Sequence, residues 1–130
     1  MADTWDVELW IYDLSQGFAG MMSSNLLGFH LEAIYHTSIV IYGREYFFGG
    51  GANCAPGINQ CTPGGTILGQ PMRKVKLGKT ELDPETFQIW SDEMGRTEYR
   101  SDKYSLFQHN CNNFTEDLAQ FLGENSTCLF

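Results

Sequence analysis

The sequence predicts an α+β domain, an antiparallel sheet packed against helices, with strand-period segments early in the chain and two marked helices late. Three observations carry that expectation. Val7 to Tyr12 sets Val7, Leu9 and Ile11 against Glu8, Trp10 and Tyr12, which is strand period with a largely aromatic second face. Thr37–Tyr42 and Glu45–Phe48 are β-branched and aromatic runs joined by Gly43-Arg44, the pattern of a hairpin on a type II′ turn. Asp83-Pro84 and Asn110-Cys111 each place a capping residue before a helix-period apolar stripe.

In chain order, Val7–Tyr12 reads as a covered strand. Residues 13–31 scatter Gly17, Gly20 and Gly28 among Phe18, Met21, Met22, Leu26 and Leu27, which suits short helical turns rather than one helix. His36 stands at the entry of the hairpin. Gly49 to Gly65 contains six glycines and two prolines and reads as a loop, and its Gly-Gly-Gly run fits neither a dinucleotide nor a phosphate-loop pattern. Thr66–Leu68 and Met72–Leu77 are expected to return as strands, with Arg73, Lys74, Lys76 and Lys79 on a solvated face. Asp83 then caps a helix that buries Phe87, Trp90 and Met94 and ends at Gly95. A short extended piece at Tyr104–Phe107 leads to the second helix, whose stripe is Phe114, Leu118, Phe121 and Leu122 and whose stop is Gly123.

Composition bounds the function. A chain of 130 residues with 42% hydrophobic content suits one domain, 1–130, with a core at about 7–122. A net charge of −8 opposes nonspecific attraction to nucleic acid or an anionic membrane, and no apolar run is long enough for stable membrane insertion. The first residues lack the basic and apolar regions of a signal peptide, so a soluble intracellular protein with reduced cysteines is expected. Cys54 and Cys61 are spaced too widely for the usual zinc pair, and neither a metal nor another cofactor is expected.

The chemistry concentrates at Gln108-His109-Asn110-Cys111-Asn112-Asn113-Phe114. Cys111 begins a helix, where unpaired amides and the positive end of the macrodipole favour a thiolate. The effect is too small alone: bringing a thiol from about 8.5 to about 4 takes roughly 6 kcal/mol, and a helix terminus supplies at most about 2. A nucleophilic Cys111 therefore needs a basic partner, usually histidine. Of His30, His36 and His109, the last is too close in sequence to converge on the thiol and the first lies in the irregular region. His36, at a strand terminus against which a helix can pack, is the candidate, beside the ordinary alternative of a structural histidine.

Five blocks in order then carry a resemblance: Val7–Ser15, Ile34–Val40, Phe47–Gly49, Cys61–Thr66 and Leu106–Phe114 resemble the PPPDE domain of the desumoylating isopeptidase family, from about Val7 to Leu122. The resemblance implies a permuted papain-like α+β fold in which the histidine precedes the cysteine, with His36 and Cys111 at the positions of the catalytic dyad. It implies cleavage of SUMO or a related ubiquitin-like modifier from its conjugates, or removal of thioester-linked acyl groups as in a protein depalmitoylase. A homodimer and a distribution between cytoplasm and nucleus are implied likewise.

On that reading Cys111 attacks as a thiolate paired with the His36 imidazolium, which then protonates the leaving lysine amine. The backbone N–H of Cys111 would be one oxyanion donor, with Gln108 and Asn110 as candidates for positioning the other. Glu45 and Tyr46 are the polar residues on the following strand, and neither stands out to orient His36, so a dyad is expected rather than a triad. A modifier tail ending in two glycines needs a narrow groove, for which Gly49, Gly50, Gly51 and Trp10, or Trp5, are candidates. A noncatalytic modifier-binding or adaptor domain is the alternative of a different class, against which stands the presence of both Cys111 and His36.

Overall fold

The structure, a computed structural model, describes residues 3–13, 35–49, 57–66, 68–105 and 108–124. Five strands, β1 (Trp5–Asp13), β2 (Tyr35–Ile41), β3 (Arg44–Gly49), β4 (Gly57–Cys61) and β5 (Arg73–Thr80), form one antiparallel sheet in the order β4-β3-β2-β1-β5. Two helices, α1 (Pro84–Arg96) and α2 (Cys111–Glu124), follow, with a 3₁₀ turn at Ser101–Lys103 between them. This is the α+β architecture expected. The irregular segment expected at 13–31 lies outside the described residues beyond Asp13.

Strand pleating divides the sheet into two chemically different faces. Ile39, Ile41, Tyr46 and Phe48 meet Phe87 of α1 and Phe114, Leu118 and Leu122 of α2 in the buried core, together with Val7, Leu82 and Tyr99. Phe48 is central: the rings of Tyr99, Tyr104, His109 and Phe114 lie around it with centroids at 4.9, 5.3, 5.3 and 6.5 Å. The opposite face carries Trp10, Tyr12, His36, Ser38 and Glu45, as their cross-strand pairs require. β1 lies between β2 and β5, so both of its hydrogen-bonding edges are paired, and a bulge between Val7 and Glu8 shifts its register against β5.

Three local expectations are corrected. The hairpin turn is Tyr42-Gly43 rather than Gly43-Arg44: both residues have positive φ, 55° and 71°, as in a type I′ turn. The register Ile41↔Arg44 puts Tyr42 at the corner, where its hydroxyl donates to the Leu82 carbonyl at 2.5 Å and its ring packs on Trp5 and Phe87. β4 lies inside the stretch read as loop, because its pairing with β3 compensates for a sequence of weak strand propensity. Thr66 and Leu68 form no strand; Gly69 N–H donates to the Thr66 carbonyl at 3.1 Å and closes a turn. β5 forms as expected, with Arg73, Lys74, Lys76 and Lys79 exposed.

Both helix starts follow their sequence signals. The Asp83 side chain accepts from Thr86 N–H at 3.3 Å, with Pro84 at the first helical position. α1 runs one residue beyond Gly95, and the amides of Thr97 and Tyr99 then close on the Met94 carbonyl at 3.2 and 2.7 Å. At the far end of α2, Thr80 Oγ1 donates to the Leu122 carbonyl at 2.8 Å, fixing that end to β5. In urea titrations, Leu118→Ala is expected to lose about 2–5 kcal/mol because Leu118 is wholly buried. Asp83→Ala should lose about 1 kcal/mol through the exposed cap.

Candidate active site

The start of α2 is held by a reciprocal cap. Asn110 Oδ1 accepts from the amides of Asn112 and Asn113 at 2.9 and 3.4 Å, while Asn113 Oδ1 accepts from the Asn110 amide at 2.8 Å. This is capping-box geometry with asparagine at both positions. Cys111 is thereby fixed as the first helical residue, buried, with its Sγ turned toward Asn112 Oδ1 at 3.9 Å. The preceding chain is equally constrained. Ser105 and His109 exchange backbone hydrogen bonds at 2.8 and 2.9 Å, and His109 is stacked on Tyr99 at 4.7 Å. Its Nδ1 donates to the Lys103 carbonyl at 2.9 Å. Nε2 lies 3.3 Å from Glu98 but out of line for a hydrogen bond, so this contact adds charge attraction only when the ring is protonated. His109 thus pins the approach to Cys111.

The helix start is sewn onto the entry of β2. Asn112 Oδ1 accepts from Thr37 Oγ1 at 2.7 Å, and Asn112 Nδ2 donates to the Tyr35 carbonyl at 3.4 Å. Thr37 Oγ1 also bonds Thr115 Oγ1 at 2.8 Å. The residue after Cys111 is therefore bonded to the residues on both sides of His36. Asn112 is the member of this seam that sequence reasoning did not single out; the signal available was its place in the capping run, which does not by itself distinguish a cap from a cross-link.

The seam brings the two backbones together without joining the two reactive atoms. Thr37 faces α2, so strand alternation turns His36 to the other face, across from Tyr12. The imidazole is buried between the rings of Tyr12 at 5.6 Å and Phe47 at 5.2 Å. Its Nε2 has no hydrogen-bond partner among the described residues. Burial pushes the imidazole down to about 4, against a smaller upward pull from the Glu45 charge. As placed, the ring is neutral at pH 7, which differs from the thiolate–imidazolium pair expected from sequence; the physical reason is desolvation of the cation.

The other expected residues divide in the same way. Asn110 is occupied by its capping bonds. Gln108 is exposed three residues before Cys111, its amide directed at Ser105 Oγ at 3.4 Å. Trp10 is buried on the His36 face, with Nε1 donating to Glu8 at 2.8 Å and Lys74 Nζ lying 4.3 Å from the ring centroid. Trp5 is at the opposite end of β1, paired with Thr80. Gly49 ends β3 opposite Gly57, and Gly50 and Gly51 lie outside the described residues. Among the described residues no cluster of histidine, cysteine and carboxylate side chains could hold a metal, and no helix is long and apolar enough to cross a membrane.

A helix-initial cysteine packed against the strand entry of a histidine that lies earlier in the chain, on an antiparallel sheet covered by helices, is the layout of a permuted papain-like peptidase. Comparison with known proteins agrees. Residues 5–127 match the family model described as "PPPDE putative peptidase domain", and the chain belongs to that family. It is 47% identical over 116 residues to desumoylating isopeptidase 1 of Rattus norvegicus and of Homo sapiens, covering 89% of this chain and 66% of each relative. It is 29% identical over 113 residues to a DeSI-like protein of Arabidopsis thaliana, covering 87% of this chain and 47% of that relative. The chain thus spans just under two thirds of the length of the two mammalian relatives.

Burial of a neutral His36 carries a pH signature. A free histidine titrates near 6.5, whereas this ring is held near 4, so between those values the unfolded chain binds a proton that the native chain does not. Stability therefore falls as pH drops through that window, by about 3 kcal/mol from this group. His36→Gln is expected to flatten this acid limb when urea midpoints at pH 7 and pH 4.5 are compared with wild type.

Proposed function

We propose that this chain is a cysteine isopeptidase that removes SUMO or a related ubiquitin-like modifier from substrate lysines, with Cys111 as nucleophile and His36 as proton carrier. The observation that carries the reading is the seam at Asn112, which holds a helix-initial thiol against the strand residue next to His36. The likeness to relatives named desumoylating isopeptidase supports the substrate class. A homodimer working in cytoplasm and nucleus belongs to the same proposal and rests on the family resemblance alone.

The His36 ring rests neutral, and on this reading it takes up the thiol proton during the attack. Among the described residues, Nε2 of His36 makes no hydrogen bond that a ring movement toward Cys111 would break. As Sγ bonds to the isopeptide carbonyl carbon, His36 takes the thiol proton; the tetrahedral oxyanion is met by the positive end of α2, with the Cys111 amide as donor. Collapse breaks the C–N bond, and the imidazolium gives its proton to the departing lysine amine. Water, deprotonated by the same ring, then cleaves the thioacyl enzyme, releasing the modifier carboxylate and restoring the thiol. A thioester substrate would pass through the same intermediate with a thiol as leaving group.

Cys111→Ser is expected to lower release of SUMO from an isopeptide-linked conjugate by at least about a thousandfold, and His36→Ala by a similar factor. Alkylation of Cys111 by iodoacetamide should slow in His36→Ala, and an unchanged rate–pH profile would exclude a proton link between the two residues. Labelling of Cys111 by a lipid-like electrophile, without labelling by a SUMO C-terminal electrophile, would move the substrate to an acyl thioester.

A further inference from the structure

The buried group that the dyad leaves without a task is Glu45. It is wholly buried on the His36 face of the sheet, and donors from three elements converge on its carboxylate. Tyr12 of β1 donates its hydroxyl to Oε2 at 2.5 Å, and Ser38 of β2 donates to the same oxygen at 2.6 Å. Oε1 accepts from the Gly64 amide at 2.9 Å. A buried carboxylate costs several kcal/mol to desolvate, so three donors aimed at one anion mark a site built around charge.

The neighbours of that anion are those of the candidate catalytic histidine. Tyr12 lies directly across from His36 in the β1–β2 register, its ring 5.6 Å away, and Ser38 is the next residue on the same face of β2. Phe47 closes the far side of the imidazole. Gly64 belongs to the turn Thr62-Pro63-Gly64-Gly65, closed by Gly65 N–H to the Thr62 carbonyl at 2.8 Å. Pro63 and Gly64 occupy its two central positions, and Gly64 has φ 78°, as a type II turn requires. A Cβ at Gly65 would lie 2.8 Å from the Thr62 oxygen, so the turn admits no side chain there. One carboxylate therefore fixes both the ring beside His36 and this turn.

We propose that Glu45 is the positioning anion of the site: through Tyr12 it sets the ring that supports His36, and its charge stabilises the imidazolium formed as Cys111 attacks. This extends the expected dyad and rests on the proposed His36–Cys111 pair. Among the described residues, the titratable and charged groups on the His36 face of the sheet are Glu8 and Tyr12 from β1, Glu45 from β3, Cys61 from β4, and Lys74 and Lys76 from β5. Among the described residues, the Glu45 charge acts on His36, raising it against the effect of burial. The same charge, after burial, raises the Cys61 thiol, which keeps that cysteine a poor competitor for the nucleophile's role.

The test is a mutant cycle read by iodoacetamide alkylation of Cys111 across pH in the full chain. Glu45→Gln keeps the shape and removes the charge; it is expected to slow alkylation at pH 7 at least about threefold, and to have no such effect in a His36→Ala background. Glu45→Asp should recover part of the rate. Tyr12→Phe retains the ring and the anion but cuts the link, and is expected to slow alkylation in the same His36-dependent way, which keeps the proposal open to refutation if Glu45→Gln does not fold. Wild-type profiles in the folded variants, or equal slowing with and without His36, would overturn it. If His36→Ala alone leaves alkylation unchanged, the His36–Cys111 pair fails first, and the result is distinguishable from failure of Glu45's role.

Discussion

The hydrogen bonds of Asn112 to Thr37 and Tyr35 are the constraint on which the candidate site depends. A helix packed on a sheet by apolar side chains alone can slide or rotate by fractions of a turn at little cost, because dispersion and burial are nondirectional. Two directional bonds from one amide side chain remove that freedom at the end of α2 where the thiol sits. The Thr37–Thr115 contact adds a third point one turn further along, and the Thr80 bond to the Leu122 carbonyl fixes the far end. The thiol's position is thus set by polar bonds at both ends of α2, while Phe114, Leu118 and Leu122 supply the burial between them.

The pleat of β2 separates two tasks that a single residue could not combine. Thr37 and Ile39 face the helices and make the core, while His36 and Ser38 face the polar cluster around Glu45. Chemistry and packing therefore alternate along four consecutive residues. The same arrangement explains why the imidazole rests neutral: it is shielded by Tyr12 and Phe47 on a face where the nearby anion is already surrounded by hydroxyl and amide donors. Its proton affinity is low because burial penalises the cation more than the Glu45 charge favours it.

What was legible in the sequence follows from the range of the forces involved. Both helices were readable because a cap and an apolar stripe are encoded within a few residues, as Asp83-Pro84 and Asn110-Cys111 show. β1, β2 and β3 were readable from their side-chain period, and the cysteine from its place at a helix start. β4 was not, since Gly57–Cys61 has little strand character of its own and becomes a strand by pairing with β3. The turn falls at Tyr42-Gly43, one residue before the position local preference favours, because Tyr42 packs on Trp5 and Phe87. The role of Glu45 is not legible in the sequence, because the donors that converge on it come from Tyr12, Ser38 and Gly64, residues far apart in the chain.

The sequence by itself determined the class of the fold, the starts of both helices and the position of Cys111 as a helix-initial thiol, all of which arise from contacts between near neighbours in the chain. Five ordered blocks also marked its family. Only the tertiary structure decided which face of the sheet His36 occupies, that Asn112 rather than His36 makes the bond across the seam, and that Glu45 lies at the centre of the polar face. These depend on strand register and helix docking. A shift of one residue in register exchanges the two faces of a strand, so neither the surroundings of His36 nor the donors to Glu45 can be read until every strand has been paired.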